Sequence, residues 1–447
     1  ALSYNHGRLI EMASLLPVAK LENRYDPADR VRLLTLLERK LLWLSTWMIH
    51  HANHIRPNRD GLKVGGHQAS CASVVTLMTA LYLDVLRPED RVAVKPHASP
   101  VFHAMQYMMG NQTREKLENF RGYGGAQSYP SRTKDVDDVD FSTGSVGLGV
   151  AITAFASLMQ DYLEAKPWAS DRQLGRMIAL VGDAELDEGN VYECLQEGWK
   201  HDLRNTWWII DYNRQSLDGV VHEGLWEKID AIFKAFGWRT VVLRHGVLQR
   251  AAFEEPGGKA LKEWIQTCPN ADYSALTYQG GAAWRKRLMD DIGDQGDVTT
   301  LLEKRSDDEL SALMNNLGGQ CVQTLTEAFD GVTDDQPTVF LAYTIKGCGT
   351  PLAGHKDNHA GLMNPSQMTD FQKRMGVPQG EEWNVLAGID NPDGLTALMN
   401  DAAFFAKGRR RFDAPIVKSS GPVFLDDRNQ STQAGFGKIL DAIAKTD

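Results

Sequence analysis

Cysteine is scarce, with five residues in 447, at positions 71, 194, 268, 321 and 348. The number is odd and the positions share neither zinc-ligand nor disulfide spacing, which excludes a disulfide scaffold and fits a reducing cytoplasm. Positive charge is also in deficit: 48 Lys and Arg stand against 58 Asp and Glu, a formal net charge of -10. The acids are dispersed, not gathered into a tail, which argues against a nucleic-acid groove and names no partner. Apolar runs of about 18 residues are absent, so no membrane span is expected. The opening ALSYNHGRLIEMASLL has neither the basic region nor the cleavage pattern of a signal peptide. What is abundant is hydrophobic content, 43%, enough for a large core in two or three domains.

The stretch 176–219, RMIALVGDAELDEGNVYECLQEGWKHDLRNTWWIIDYNRQSLDG, organises the rest. Its apolar run 177–181 is too short for a helix and reads as a buried strand that stops at Gly182-Asp183. Residues 190–200 carry Val191, Cys194, Leu195 and Trp199 at helical spacing, and a second apolar run, 206–210, ends in Asp211-Tyr212-Asn213. This is a strand, helix, strand unit, and in an open parallel sheet its two polar strand ends lie together on the ligand-binding edge. Asp183 and Asn213, 30 residues apart, can then point at one ion. An anionic oxygen, an amide oxygen and backbone carbonyls suit Mg²⁺, which completes its octahedron with substrate phosphates.

GDAELDEGN and DYNRQSLDG together resemble the thiamine diphosphate fingerprint of the transketolase and pyruvate dehydrogenase superfamily. The resemblance implies a doubly wound, mainly parallel α/β sheet with helices on both faces. It also implies metal ligation by the Asp183 and Asn213 side chains and a Gln215 backbone carbonyl, with Gly182, Ala184 and Glu185 against the cofactor. Two residues depart from the pattern. Ala184 stands where the motif usually has Gly, and Asp211 stands where the first Asn of a pair would be. Neither removes a metal ligand.

The same resemblance extends along the chain. Residues 1–56 look like the superfamily's helical amino-terminal arm, in which 29–54 place Leu33, Leu34, Leu37, Leu41 and Leu42 on one face. His50, His51 and His54 there read as a packed or solvated helix, not a metal site. His67 and Ser70, in Gly-Gly-His-Gln-Ala-Ser before an apolar helix at 73–86, match a histidine near the diphosphate and a cofactor-side serine. His97, after a short strand that breaks at Pro96, matches the second superfamily histidine. Ser128-Tyr129-Pro130 matches the single-chain bacterial pyruvate dehydrogenases, where transketolases carry Gly-His-Pro, and Tyr129 thereby joins the cofactor set. Val146, Gly147 and Leu148, in STGSVGLG before a helix of small residues, are expected against the aminopyrimidine and diphosphate. A buried strand at 338–344 ends in Ile-Lys-Gly-Cys-Gly-Thr, and the loop 351–364 after it carries His355 and His359, of which His359 is the expected functional histidine.

Residues 224–335 read as an insertion typical of the dehydrogenase branch: helices, a turn-rich section at 256–297, then an acidic amphipathic helix at 307–316. The basic run 409–411 is expected to be a solvated face. The expected division is an arm at 1–56, a diphosphate-binding domain at 57–420, and at 421–447 a linker and the start of a pyrimidine-binding domain. The resemblance thus implies the diphosphate half of a pyruvate dehydrogenase-like decarboxylating component, acetyl-transferring, using thiamine diphosphate and Mg²⁺, with His67, His97 and His359 catalytic. The activating Glu belongs to the other half, so these residues alone are expected to be inactive. Implied partners are a pyrimidine-binding chain or carboxyl-terminal half and a lipoyl-bearing acyltransferase, in a homo- or hetero-oligomer. Two alternatives stand beside this: a transketolase, against which Tyr129 and the insertion speak, and a non-catalytic scaffold or regulatory fragment.

Overall fold

The structure, a computed structural model, describes residues 25–57, 61–166, 173–216, 219–406 and 429–445. The first 24 residues, the basic run 409–411 and residues 421–428 lie outside the described residues. The chain forms two compact units, 1–410 and 411–447. In the second, the described element is a helix, Thr432–Ala444, capped by the Ser431 hydroxyl, which accepts from the Ala434 amide at 3.1 Å.

The strands of the first unit are β1 (Arg91–Ala93), β2 (Met177–Gly182), β3 (Thr206–Tyr212), the two-residue β4 (Gln215–Ser216) and β5 (Gly219–Val220), β6 (Arg239–Leu243) and β7 (Thr338–Tyr343). β4 and β5 make a small antiparallel pair, and the other five form one sheet in the order β1-β2-β3-β7-β6, parallel throughout. Every residue of β2, β3 and β7 is buried. Burial on both faces is why these segments read as continuous apolar runs without alternation. The alternation is in where the side chains go. Ile178, Leu180, Trp207, Ile209 and Phe340 enter one core, while Ala179, Val181, Trp208, Ile210, Val339 and Leu341 enter the other. The molecule is therefore the expected doubly wound α/β sheet with a helical layer on each face.

The first layer holds α1 (Pro27–His50), α2 (Gln68–Ala80) and α3 (Ser99–Met108). α1 starts where the Asp26 carboxylate caps the Ala28 amide at 2.9 Å with Pro27 at the first helical position. The helical stretch Gln68–Val85 is long and apolar enough to cross a bilayer, yet 89% of it is buried inside the protein. Its apolarity serves the core. Past α4 (Arg114–Glu118), the second layer holds α5 (Leu148–Glu164) and α6 (Gly189–Lys200). It continues through the helices of the insertion.

The turn-rich reading of 256–297 is corrected. It folds into three helices, Gly258–Thr267, Asn270–Gln279 and Gly281–Ile292, whose Leu261, Trp264, Trp284, Leu288 and Ile292 are buried. The glycines and Pro269 that suggested turns sit at helix ends: Gly257 and Gly280 have φ of 83° and 87°. The helix Asp307–Asn315 forms as expected, opened by a capping box between Ser306 and Glu309.

Candidate active site

The carboxyl ends of β1, β2, β3 and β7 share one edge of the sheet, and His97, Asp183, Glu185, Asn213, Gln215 and His359 lie in the segments that follow them, whereas His67 and Ser70 lie at the start of α2. Gly182, the last residue of β2, is in register with Asp211 on β3, which brings Asp183 and Asn213 onto adjacent strand ends. Backbone amides tie them together. Asp183 Oδ1 accepts from the Ala184 amide at 2.9 Å and Oδ2 from the Arg214 amide at 2.7 Å. Asn213 Oδ1 accepts from the Gln215 amide at 3.0 Å, and its Nδ2 donates to Asp211 at 3.2 Å. Gln215 Oε1 accepts from Asn358 Nδ2 at 3.1 Å, so the loop after β7 closes on the same group.

Glu185 braces the edge: its carboxylate accepts from the amides of Gly182 and Gly147, both at 3.0 Å. Gly147 needs to be glycine. Its φ is 78°, and a Cβ there would meet Asn190 Oδ1 at 2.7 Å. Val146 and Leu148, on either side of it, are exposed, and Ser70 is buried in the first turn of α2.

The electrostatics suit a divalent cation. Burial, and then the charge of Asp211, push the Asp183 carboxyl up to about 7, against the pull of Lys95 and two amides. A hard cation would relieve that cost, and a carboxylate, an amide oxygen and backbone carbonyls are its preferred donors. The residues present therefore fit Mg²⁺.

The histidines converge. The ring centroids of His67 and His97 are 4.1 Å apart, and His359 stands 5.2 and 5.6 Å from them. Tyr129 lies 6.0 Å from His97. His355 instead packs on Tyr278 at 4.7 Å, away from this group. Burial first, and then their neighbours, hold His67 and His97 down to about 3; the leading neighbour is Arg121 for His67, and for His97 it is His67, followed by Lys95. Both rings are neutral at pH 7, each able to donate through one nitrogen and accept through the other. The trio joins the acidic group through Lys95-Pro96-His97, because Lys95 Nζ bonds Asp211 at 2.7 Å.

Sequence reasoning missed Lys95, Arg121 and Lys346. Lys346 Nζ lies 3.1 Å from His359 Nδ1. Lys95 and Lys346 sat in plain view, beside His97 and inside Ile-Lys-Gly-Cys-Gly, whereas Arg121 carried no signal beyond preceding the glycine-rich loop. A second buried group was also missed. His103, Asp135 and Asp137 bring ligand atoms within 4.8 Å of one another. Both His103 nitrogens already face acceptors, Asp137 at 2.6 Å and the Gln127 carbonyl at 3.1 Å. The ring is an imidazolium with no lone pair for a metal.

Residues 82–253 match the family "Transketolase, thiamine diphosphate binding domain". The chain is 27% identical over 464 residues to a pyruvate dehydrogenase E1 component of Cupriavidus necator, covering 96% of this chain and 49% of that protein. It is 27% identical over 362 residues to the one of Corynebacterium glutamicum, covering 77% and 38%. The chain thus spans half or less of the length of these relatives. In fold it is similar to a transketolase from Leishmania mexicana (TM-score 0.54, 16% identity, 84% of this chain and 45% of that one). A Campylobacter jejuni transketolase gives a TM-score of 0.52 at 17% identity, covering 83% and 48%.

Proposed function

We propose that this chain, which carries a transketolase-family thiamine diphosphate-binding domain and resembles the pyruvate dehydrogenase E1 components, is the diphosphate- and Mg²⁺-binding part of a decarboxylating dehydrogenase acting on pyruvate or a close 2-oxo acid. The observation that carries this reading is the single sheet edge on which Asp183, Asn213 and Gln215 stand beside His67, His97 and His359.

Asp183 and Asn213 would hold Mg²⁺ through side-chain oxygens and Gln215 through its carbonyl. Thiamine diphosphate, when bound, supplies the nucleophilic carbon that the amino acids lack. The chain's own part is to bind, orient and move protons. His67 and His97, neutral, hold or pass a proton at oxygens that gain charge, and the Lys346 ammonium beside His359 offers positive charge to the same place. The pyrimidine-side residues and the activating Glu are assigned to sequence other than these 447 residues, on the same polypeptide or a second. The relatives' greater length supports this assignment. A lipoyl-bearing acyltransferase as acceptor, an oligomer and a cytoplasmic location belong to the same proposal.

The runner-up is a transketolase. Tyr129 beside His97, where the resemblance expects a sugar-contacting histidine, and the names of the curated relatives favour the 2-oxo acid. The test is calorimetry with thiamine diphosphate and Mg²⁺. Asp183→Ala should lose metal-dependent binding while its circular dichroism spectrum stays that of the wild type; undiminished affinity would refute the reading.

A further inference from the structure

Two buried charges on this edge have no part in the reading above. Asp211 is fully buried and accepts from four side chains drawn from four segments. Ser73 Oγ of α2 and Lys95 Nζ donate at 2.7 Å, Asn213 Nδ2 at 3.2 Å, and the Thr344 hydroxyl beyond β7 completes the set. Lys95 is itself only 6% exposed. Its ammonium lies 3.3 Å, and its Cε 3.1 Å, from where a Cβ on Gly182 would be. A buried cation therefore stands at the shoulder of the residue before Asp183, the carboxylate that the functional reading gives to Mg²⁺. After burial, which opposes the charge, Asp211 is the leading influence that keeps Lys95 protonated, and Asp183 and Glu185 add to it. A buried ammonium needs a carboxylate: Asp211 is bonded to it, and Asp183 and Glu185 act on it through their charge alone.

We propose that Asp211 is a sequestering and positioning residue: by binding Lys95 it keeps that internal cation off Asp183, and by accepting from Asn213 Nδ2 it leaves the Oδ1 end of that amide, which also accepts from the Gln215 amide, as the Asn213 group offered to the ion. The inference rests on the Mg²⁺ reading of Asp183 and Asn213. It also accounts for the departure of position 211 from the Asn of the fingerprint, because Asp211 and Lys95 form one unit in which each charge requires the other. A neutral pair at the two positions would do the same work with no internal cation to control.

The experiment measures the half-saturating Mg²⁺ concentration for thiamine diphosphate binding by the 447-residue chain, by calorimetry, with melting temperatures alongside. In Asp211→Asn the freed ammonium competes at Asp183, and half-saturating Mg²⁺ should rise about tenfold or more, the scale of one uncompensated nearby charge. Lys95→Gln removes the competitor and should leave the requirement at or below that of the wild type. The double variant, Lys95→Gln with Asp211→Asn, should return it to within about threefold of wild type, since no buried charge is left unpaired. If Asp211→Asn fails to fold while the double variant folds and keeps the wild-type Mg²⁺ requirement, the pairing is upheld. A merely structural role predicts that all three variants weaken alike. That result, or a double variant no better than Asp211→Asn, would overturn the inference while leaving the functional reading intact. A wild-type chain that binds no thiamine diphosphate at any Mg²⁺ concentration would sink both.

Discussion

His103 is fully enclosed, whereas His67 and His97 are only half-buried, yet the most deeply buried ring is the charged one. Burial disfavours imidazolium in all three. At His103 the opposing carboxylates win: Asp137, at 2.6 Å and itself buried, and then Asp135 and the Gln127 carbonyl push it up to about 9. At His67 and His97 the neighbours reinforce burial, Arg121 first for His67 and His67 then Lys95 for His97, down to about 3. Neighbouring charge, not depth, therefore decides which histidine braces a loop and which is kept neutral on the candidate edge.

The largest expected effect separates the two by function. On the proposed function, in enzyme reconstituted with the pyrimidine-side sequence that reading requires, His97→Ala should lower pyruvate turnover by about 10²- to 10⁴-fold, the range for a lost acid or base. Its melting temperature should change little. Turnover that survived this change would remove His97 from the chemistry and erase the distinction drawn here.

Asp137→Asn should do the reverse. It takes one member from a buried ion pair and leaves a histidine with no exposure, for a loss of about 3–5 kcal/mol of stability by denaturant titration. Thiamine diphosphate affinity, measured where the variant is still folded, should hold. A loss much below 1 kcal/mol would mean that the pair contributes little to the loop 127–137.

Much of the candidate edge was legible because its signals are local. The strand, helix, strand rhythm of 176–219 lies in consecutive residues, His97 follows a short strand that breaks at Pro96, and His67 stands in a glycine turn just before an apolar helix. The His103 pair was not legible, because its partners are 34 residues apart and only tertiary packing joins a helix to the loop. The three helices within 256–297 were misread for a different reason: glycine and proline punctuate helix ends as readily as they make turns. β6 escaped notice because its residues are mostly half-exposed, so Arg239-Thr-Val-Val-Leu lacks the wholly apolar look of β2 and β3.

pH sharpens the comparison, with opposite signs. His103 has a folded pKa above its unfolded value of about 6.5, so its contribution is complete below that pH and is lost as pH rises through about 9. At about 1.36 kcal/mol per pH unit, this amounts to about 3 kcal/mol between pH 6 and 10. His67 and His97 have depressed folded values, so their contribution is present above about pH 6.5 and is lost as the pH falls toward about 3. Denaturant melts of Asp137→Asn should lose most of the alkaline arm and retain the acid arm. An unchanged alkaline arm would show that another group carries it.

The smallest effect is the most discriminating, because it divides His67 from its neighbour. After burial, Arg121 is the leading influence that lowers His67, whereas His97 is lowered by His67, Lys95, His359 and Lys346. The Arg121 guanidinium also donates to the Val64 carbonyl at 3.2 Å, just ahead of the Gly-Gly-His turn. Arg121→Met should therefore raise the His67 pKa by less than about one unit, the scale of a single partly screened charge, with His97 following only indirectly. Lys346→Met should raise both rings together, and neither variant should move His103, whose controlling charges lie elsewhere. Imidazole nitrogen shifts followed by NMR from pH 3 to 8 resolve these cases. Equal movement of His67 and His97 in Arg121→Met would mean that the two rings, 4.1 Å apart, titrate as one coupled pair, and that the neutral state belongs to the cluster and not to either residue.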